Sequence, residues 1–468
     1  MAIYHLTAKL VSRGRGQSMV AAAAYRFGVT LRDERYGVTH RYSGKRGMAH
    51  AEILAPAGAP AWVRDREMLW NRVEAGERRK DSQLARLIEI GLPVELSLGD
   101  NVALVRDYIA GEFVSQGMVA DFCIRGDSGN PHSHILLTLR RATESGFGPK
   151  ERRWNGKAAL IQWRTAWAER ANEHLARAGH LVRIDHRTLE AQQIELAPGR
   201  KIGVAPARQN DETLPSHLSE RISEQQRVAR ANGEFILQDP TAVLRALTHQ
   251  KPIFTRQELS RYLRYRTHGA EQLAAAYRAV TESPELVALT SGNAQEERFT
   301  SRDMIEAAKS VTRRTAAMAA RRGHAVAAAQ RSSSALQFSL DHEQRRAFDY
   351  VLQDGDVKAL IMAGGLAKQT LLSALRHAHE AAGLRALNLA AREAGSGQLE
   401  SMSRETVLCV DGAEMLGLKQ MERLLAAADR ARTKIVLIGD AAQLHAMKVE
   451  TAFQTVFRAV GHPESAIN

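Results

Sequence analysis

The sequence predicts a multidomain α/β protein of three parts. These are an antiparallel sheet with helices over residues 1–205, a helical linker module over 206–335, and a second α/β domain with a parallel sheet over 336–468. Three observations carry the prediction. At 468 residues and 44% apolar composition, the chain can bury roughly two to four separate cores. Its first part sets strand-length apolar runs between helical stretches, while its middle is helical and arginine-rich. Its last part has short apolar strands ending in aspartate or glycine, as strands of a parallel nucleotide-binding sheet do.

In the first part, "AIYHLTAKLV", "AEILAPA", "IEIGLPVEL", "MVADFCIR" and "HILLTL" have strand length and partial alternation. The helices are "QSMVAAAAYRFG", "WVRDREMLWNRVEAGERRKDSQLARL", "LVRDYIAGEFVSQG" and "AALIQWRTAWAERANEHLARAG". That order suits an antiparallel sheet with helices on one face. "ARQNDETLPSHLSERIS" is a polar hinge, and short amphipathic helices such as "LAAAYRAVTESPELVAL" follow it. From about 336, "VKALIMAGGLAKQTLLSALRHAHEAAG" reads as strand, tight loop and helix, and "ETVLCVDGAEML" and "TKIVLIGDAAQL" add two strands.

The formal charge of +13 favours a polyanionic partner, nucleic acid first. Two distant cysteines, Cys123 and Cys409, argue against a disulfide framework and for a reducing compartment. No run of about 18 apolar residues occurs, so no membrane span is expected. The first residues lack the apolar core of a secretory leader, and a cytoplasmic location is the expectation.

"GNPHSHILLTLR" sets His132 and His134 at the mouth of a strand-like run. Residues i and i+2 of a strand share a face, so the two rings can converge on one ion. Pro131 fits a strand entrance. Two histidines are half a metal site, since three protein ligands are usual where a metal does chemistry. Packed or solvated histidines are the alternative.

This stretch, with "MAIYHL" and "SMVAAAAYRFG", resembles the conjugative relaxases of the MobA/MobL group, including those of Ti-plasmid transfer that are fused to a helicase. "DERYGVTHRYSGKRGMAHAEI", "LWNRVEAGERRKDSQLARLIEIGLPVELS", "WRTAWAERANEHL" and "RIDHRTLE" extend the resemblance over most of residues 1–190. It implies a tyrosine nucleophile, Tyr25 by position, that attacks one phosphodiester of single-stranded DNA at a transfer origin and leaves a 5′-phosphotyrosyl link. Read without the resemblance, Tyr25 is a half-buried helix aromatic. It also implies His132 and His134 as ligands of a divalent ion, magnesium or manganese, which offsets charge at the phosphate. The third ligand histidine is replaced by Arg125, which cannot coordinate a cation. Cys123, on the same strand face, or His5 would then fill the place, or Arg125 would hold the phosphate and metal binding would be weakened. Asp127 is a further acceptor or a turn residue.

Glu74 and Glu77 match acidic positions of the family and would orient the metal or take a proton from Tyr25; pairing with Arg78 is the other reading. Arg35, Arg41, Lys45 and Arg46 are candidates for DNA phosphates. Arg152 and Arg153 beside Trp154 suit phosphate contact with base stacking. Relaxosome accessory proteins and a type IV secretion coupling protein are the partners the resemblance implies.

A phosphate-binding loop reads GxxxxGK[ST], because successive amides wrap the phosphates while lysine reaches the outer ones. Here "MAGGLAKQT" keeps Gly364, Gly365, Lys368 and Thr370 but has Ala367 for the last glycine and Gln369 between lysine and threonine. In "VDGAEML", Asp411 stands where magnesium is held, Gly412 replaces the following glutamate, and Glu414 comes two residues late. "IGDAAQL" keeps Asp440 and Gln443, and Gln344 precedes the first strand. About 130 residues follow position 336, room for one RecA-like domain of the two a helicase uses, so a truncated and degenerate helicase part is expected. ATP is then a doubtful cofactor, and helicase activity is not expected. Together these features point to a metal-dependent relaxase. Its rivals are a non-cleaving origin-binding protein, a residual nucleotide-binding helicase fragment, and a nuclease of unrestricted specificity.

Overall fold

The protein is described from a computed structural model covering residues 4–44, 46–126, 130–198, 216–289, 297–363, 365–391, 401–446 and 451–467. Lys45, Asp127 and Gly364 lie outside the described residues. The chain divides into two compact units, Met1–Ala178 with Val182–His186, and Gly179–Leu181 with Arg187–Asn468.

The first unit runs β1 (Leu6–Ser12), α1 (Met19–Phe27), β2 (Thr30–Asp33), β3 (Val38–Arg41), β4 (Met48–Leu54), α2 (Arg66–Gly76) and β5 (Gln83–Gly91). It continues with α3 (Leu98–Glu112), β6 (Ala120–Arg125), β7 (His132–Thr138), β8 (Arg140–Thr143), β9 (Gly146–Lys150) and α4 (Lys157–Arg177). Five strands form an antiparallel sheet in the order β1-β5-β7-β6-β4.

Helices cover both faces of this sheet, where one was expected. On one face Leu87, Cys123 and Leu136 pack against Met19, Ala23 and Phe27 of α1 and Leu69 and Trp70 of α2. On the other, Ile88, Phe122, Ile135 and Leu137 meet Val105 and Tyr108 of α3 and Trp163 and Trp167 of α4. The cause is visible in β6, whose six residues are all buried: a strand apolar on both faces needs cover on both. Helix α1 starts at Ser18, whose hydroxyl accepts from the Ala21 amide, and stops at Gly28 with φ 60°, a conformation that suits glycine. Helix α2 is pinned by Asp121, which accepts from Trp70 Nε1 at 2.9 Å and from Nε and Nη2 along one edge of the Arg66 guanidinium. Burial holds the Asp121 carboxyl up, against the pull of Arg66 and Trp70.

The second unit begins with α5 (Ser216–Gln238), α6 (Thr241–Gln250), β10 (Phe254–Thr255), α7 (Arg256–Arg264), α8 (Gly269–Thr281), β11 (Leu286–Leu289) and β12 (Arg298–Ser301). The helical segment thus also carries a three-stranded antiparallel sheet in the order β10-β12-β11. Its strands are two to four residues long, too short for a periodicity to register.

Then come α9 (Arg302–Ala319), α10 (Ala328–Gln337), α11 (His342–Val351), β13 (Val357–Met362), α12 (Leu366–Ala381), β14 (Arg385–Ala390) and β15 (Thr406–Asp411). Helix α13 (Leu418–Ala431), β16 (Lys434–Asp440), α14 (Ala441–Ala446), α15 (Ala452–Val460) and β17 (Gly461–Ile467) close the unit. The parallel sheet has the order β14-β15-β16-β13-β17, with the strand order reversing beside β13. Ligands of such sheets bind outside the carboxyl ends of the strands.

Candidate functional site

The register of the first sheet builds the site in two adjacent rows. One row runs Glu89, His134, Cys123 and Ala51, and the next Gly91, His132, Arg125 and Met48. Directly opposed residues share a face, so these groups look toward α1. His132 and His134 stand edge to face with centroids 5.1 Å apart.

Each ring keeps a lone pair. His132 Nδ1 lies 3.0 Å from the Asn130 carbonyl oxygen, which only an N–H can satisfy, so a neutral His132 keeps its lone pair on Nε2. His134 Nδ1 is buried and finds no hydrogen-bond partner. Burial pushes the His134 pKa down to about 4; Glu89 opposes this, while His132, Arg26 and Arg125 add to it. A neutral imidazole with an unsatisfied nitrogen fits a cation, which binds only deprotonated ligands.

Three neighbours narrow the third position. Cys123 donates its thiol toward the Arg26 carbonyl at 3.7 Å, packs in the α1-facing core, and is pushed up to about 12 by burial. A thiol so held is a core side chain, and its expected ligand role does not suit this geometry. His5 Nε2 points at Glu89 Oε1 from 3.9 Å. Arg125 is 8% exposed and donates from Nη2 to the Arg46 carbonyl at 2.6 Å, bracing the start of β4 instead of standing open to a phosphate. Among the described residues no group of three or more His, Cys, Asp or Glu is placed to hold a metal ion.

Tyr25 lies in the last turn of α1, 51% exposed, with its ring edge-on to Tyr42 at 5.3 Å. That contact brings the end of β3, with exposed Arg41, beside it. Arg26, the next residue, bonds the Ala22 carbonyl and carries its own carbonyl onto Cys123. Burial lowers its pKa, while Cys123, Tyr25 and Glu89 oppose the shift. Arg26 and Glu89 therefore belong to this corner, and sequence reasoning missed both. Glu89 was hidden inside the strand "IEIG", where the only available signal was a charge in a buried run.

Glu74 and Glu77 are not brought to Tyr25. Glu74 is 1% exposed, accepts from the Met19 amide at 2.6 Å at the opposite end of α1, and pairs with buried Arg13 at 2.6 Å. Six residues of helix separate that amide from Tyr25, ~9 Å along the axis. Glu77 pairs with Arg140 at 2.9 Å and Lys150 at 3.2 Å, not with Arg78. Trp154 is not offered to DNA either. Its ring is 4% exposed within the α3–α4 core and its Nε1 donates to Gln116, so no base can stack on it. Arg153 is paired with Glu151 at 3.1 Å; Arg152, Arg35 and Arg46 are exposed.

In the second unit the altered loop leads into α12 through Gly365, at φ 112° and ψ −158°, a region open only to glycine. Lys368 Nζ sits 2.8 Å from Asp411 Oδ1. The Thr370 hydroxyl is turned into its own helix, on the Leu366 carbonyl. Gly412, at φ 73°, reverses the chain into a 3-10 turn over Ala413–Met415, and this turn brings Glu414 back to the strand ends. Glu414 accepts from the Asp440 amide at 3.1 Å, and burial, with Asp440 and Asp411 adding, raises its pKa to about 7. The Gln443 amide donates to Asp440 at 3.0 Å, and Gln344 reaches the Ala367 carbonyl at 3.3 Å.

The MobA/MobL family model matches residues 17–212. The mobilization protein MobL of Acidithiobacillus ferridurans is 35% identical over 277 residues, covering 51% of this chain and 72% of that protein. The chain belongs to the MobA/MobL family. It is TraA-like as well: the conjugal transfer protein TraA of Agrobacterium fabrum is 32% identical over 528 residues, 99% of this chain and 48% of that protein. The chain thus spans about half the length of the TraA proteins it matches. An AAA domain model matches residues 392–467 of this MobA/MobL chain, the span holding Asp411, Glu414, Asp440 and Gln443. A solved structure from work on vancomycin resistance transfer in Staphylococcus aureus is 35% identical, covering 40% of this chain and 100% of its own, at a TM-score of 0.38. Among the described residues, no helix is long and apolar enough to cross a membrane.

Proposed function

We propose that the chain is a DNA relaxase that nicks one strand at a plasmid transfer origin through Tyr25. The observation that carries the reading is the pairing of an exposed tyrosine at the end of α1 with the sheet corner that holds two histidines with free lone pairs. His132 and His134 would hold a divalent ion, magnesium or manganese, which supplies positive charge for the scissile phosphate. Tyr25 Oη attacks phosphorus and forms the tyrosyl–phosphate bond, while the bond to the 3′-oxygen breaks and that oxygen takes a proton from solvent and leaves as a hydroxyl. The phenolic proton is lost to the solvent that reaches Tyr25. Arg41, Arg46 and Arg35, on the exposed β2–β4 side, grip flanking phosphates of the single strand. Relaxosome proteins and a secretion coupling protein are the partners this role calls for.

Arg125 favours a second reading. It faces His132 across the β6–β7 ladder, so the chain would bind origin DNA and cut it poorly or not at all. A covalent-adduct assay separates the two. Purified protein, a labelled origin oligonucleotide and Mn²⁺ are run on a denaturing gel. A shifted band that vanishes with EDTA and in Tyr25→Phe supports the relaxase. No band from the parent but one from Arg125→His supports the impaired enzyme. Binding with no band from either protein would sink both accounts of cleavage.

A further inference from the structure

The helical segment holds an arrangement that relaxase chemistry does not use. Helix α7 ends at Arg264, four residues turn the chain, and α8 opens at Gly269 with φ 76°, a conformation that suits glycine. A connection of this length with a glycine is that of a helix-turn-helix. Helix α6 and strand β10 precede the pair, and the β11–β12 hairpin follows and closes the three-stranded sheet onto β10. Helices α6, α7 and α8 and strand β10 each bury apolar side chains, among them Val243, Leu247, Phe254, Leu259, Leu263 and Val280. It is a built module, and not a linker with incidental helices.

One side of the pair is open. Helix α5 covers α8 near Gln272, whose amide donates to the Arg230 carbonyl at 3.0 Å. Ala270, Ala274 and Arg278, at i, i+4 and i+8, stay exposed and share a stripe. Ser260, Leu273 and Tyr277 join them to form a shallow groove between α7 and α8. Arg261 and Arg264, at i and i+3, are exposed on α7, and Tyr265 after them is 69% exposed.

The charges on this face are unbalanced. Arg261, Arg264 and Arg278 form no ion pair among the described residues, whereas Arg256 is taken by Glu297. Within α7 and α8 the carboxylates are Glu258, held by Lys251 at 2.7 Å, and Glu271, and exposed Glu282 caps α8 one turn after Arg278, so the three arginines face two open carboxylates. Small alanines let a backbone approach closely, and unpaired guanidiniums complement phosphate.

We propose that α7 and α8 form a second DNA site, for the backbone of duplex DNA, with Arg261, Arg264 and Arg278 on phosphates. In a helix-turn-helix the first helix crosses the backbone and the second enters the groove, which fits two arginines on α7 and the alanine stripe on α8. The site is separate in the chain from the corner around Tyr25 and does not depend on nicking.

The test is fluorescence anisotropy with the full chain carrying Tyr25→Phe, using a 20-base-pair duplex and a single strand of equal length across a salt series. R261A/R264A/R278A should weaken duplex binding about tenfold or more at low salt. Each lost phosphate contact should lower the slope of log K against log salt by about 0.9. Single-strand binding should hold, as should adduct formation by the same triple variant with Tyr25 intact. Lysine at the three positions should keep most of the slope, which separates charge loss from misfolding. Glu271→Gln should tighten duplex binding. Unchanged duplex affinity in the triple alanine variant, or an equal loss for duplex and single strand, would overturn the proposal. An adduct assay that fails already with the parent chain would count against the relaxase reading and leave this site standing.

Discussion

Glu74 shows how a residue can sit where a functional carboxylate is expected and do something else. Its two oxygens are both used, one on the Met19 amide and one on Arg13, and it is 1% exposed. Removing one partner of a buried pair strands the other charge, at a cost of about 3–5 kcal/mol. Glu74→Ala should therefore lower the urea midpoint of the first unit and lose adduct formation only in step with its unfolding. Glu74→Gln still accepts from Met19 and should recover part of that stability. Full stability with abolished cleavage would return Glu74 to the chemistry. The sequence spacing made His132 and His134 legible because a strand period is local. It could not reveal Arg13, 61 residues from its partner, nor that Trp154 faces a core, since both depend on tertiary packing. The same limit hid Glu89 and Arg26, whose importance comes from register with His134 and from the end of a helix.

At the scale of the element, the turn after β15 decides what becomes of the displaced glutamate. A sequence reading places Glu414 two positions late; the left-handed Gly412 folds it back onto the ends of β15 and β16. There the carboxyl is raised from 4.5 to about 7, mostly by burial. The sign follows from linkage. Below about 4.5 folded and unfolded chains both carry the proton, and Glu414 costs nothing. As pH rises the unfolded chain releases it first, so stability is lost up to the folded value near 7. The loss amounts to roughly 3 kcal/mol. Glu414→Gln keeps an acceptor for the Asp440 amide and carries no charge. It should raise the melting temperature of the second unit at pH 8 and leave it unchanged at pH 4. An equal gain at both pH values would mean that packing, not ionisation, sets the difference. The small β10-β12-β11 sheet belongs at this scale too: two-residue strands carry no readable pattern, and only their pairing in space defines the module.

At the scale of the whole molecule, the fold class was legible because each unit advertises its own period: antiparallel strands among long helices first, then parallel strands ending in aspartate. Cover on both faces of the first sheet was less so, because a continuously apolar strand such as β6 does not say what lies over it. The two units own separate cores, the first unit's around Trp163 on one face of its sheet and Trp70 on the other, the second unit's around Phe453 and Phe348. Separate cores melt separately when their contacts are mostly internal, so calorimetry of the intact chain should resolve two transitions. A ligand that binds only the native form raises the transition of the unit that holds it. Manganese at 100 times its Kd contributes about 2.7 kcal/mol, which for a unit of this size moves Tm by roughly 5–10 °C. If His132 and His134 hold the ion, manganese should shift the first unit's transition alone, and His132→Ala with His134→Ala should abolish the shift while the other transition stays put. A shift that survives both substitutions would place the ion elsewhere and take the metal out of the Tyr25 corner.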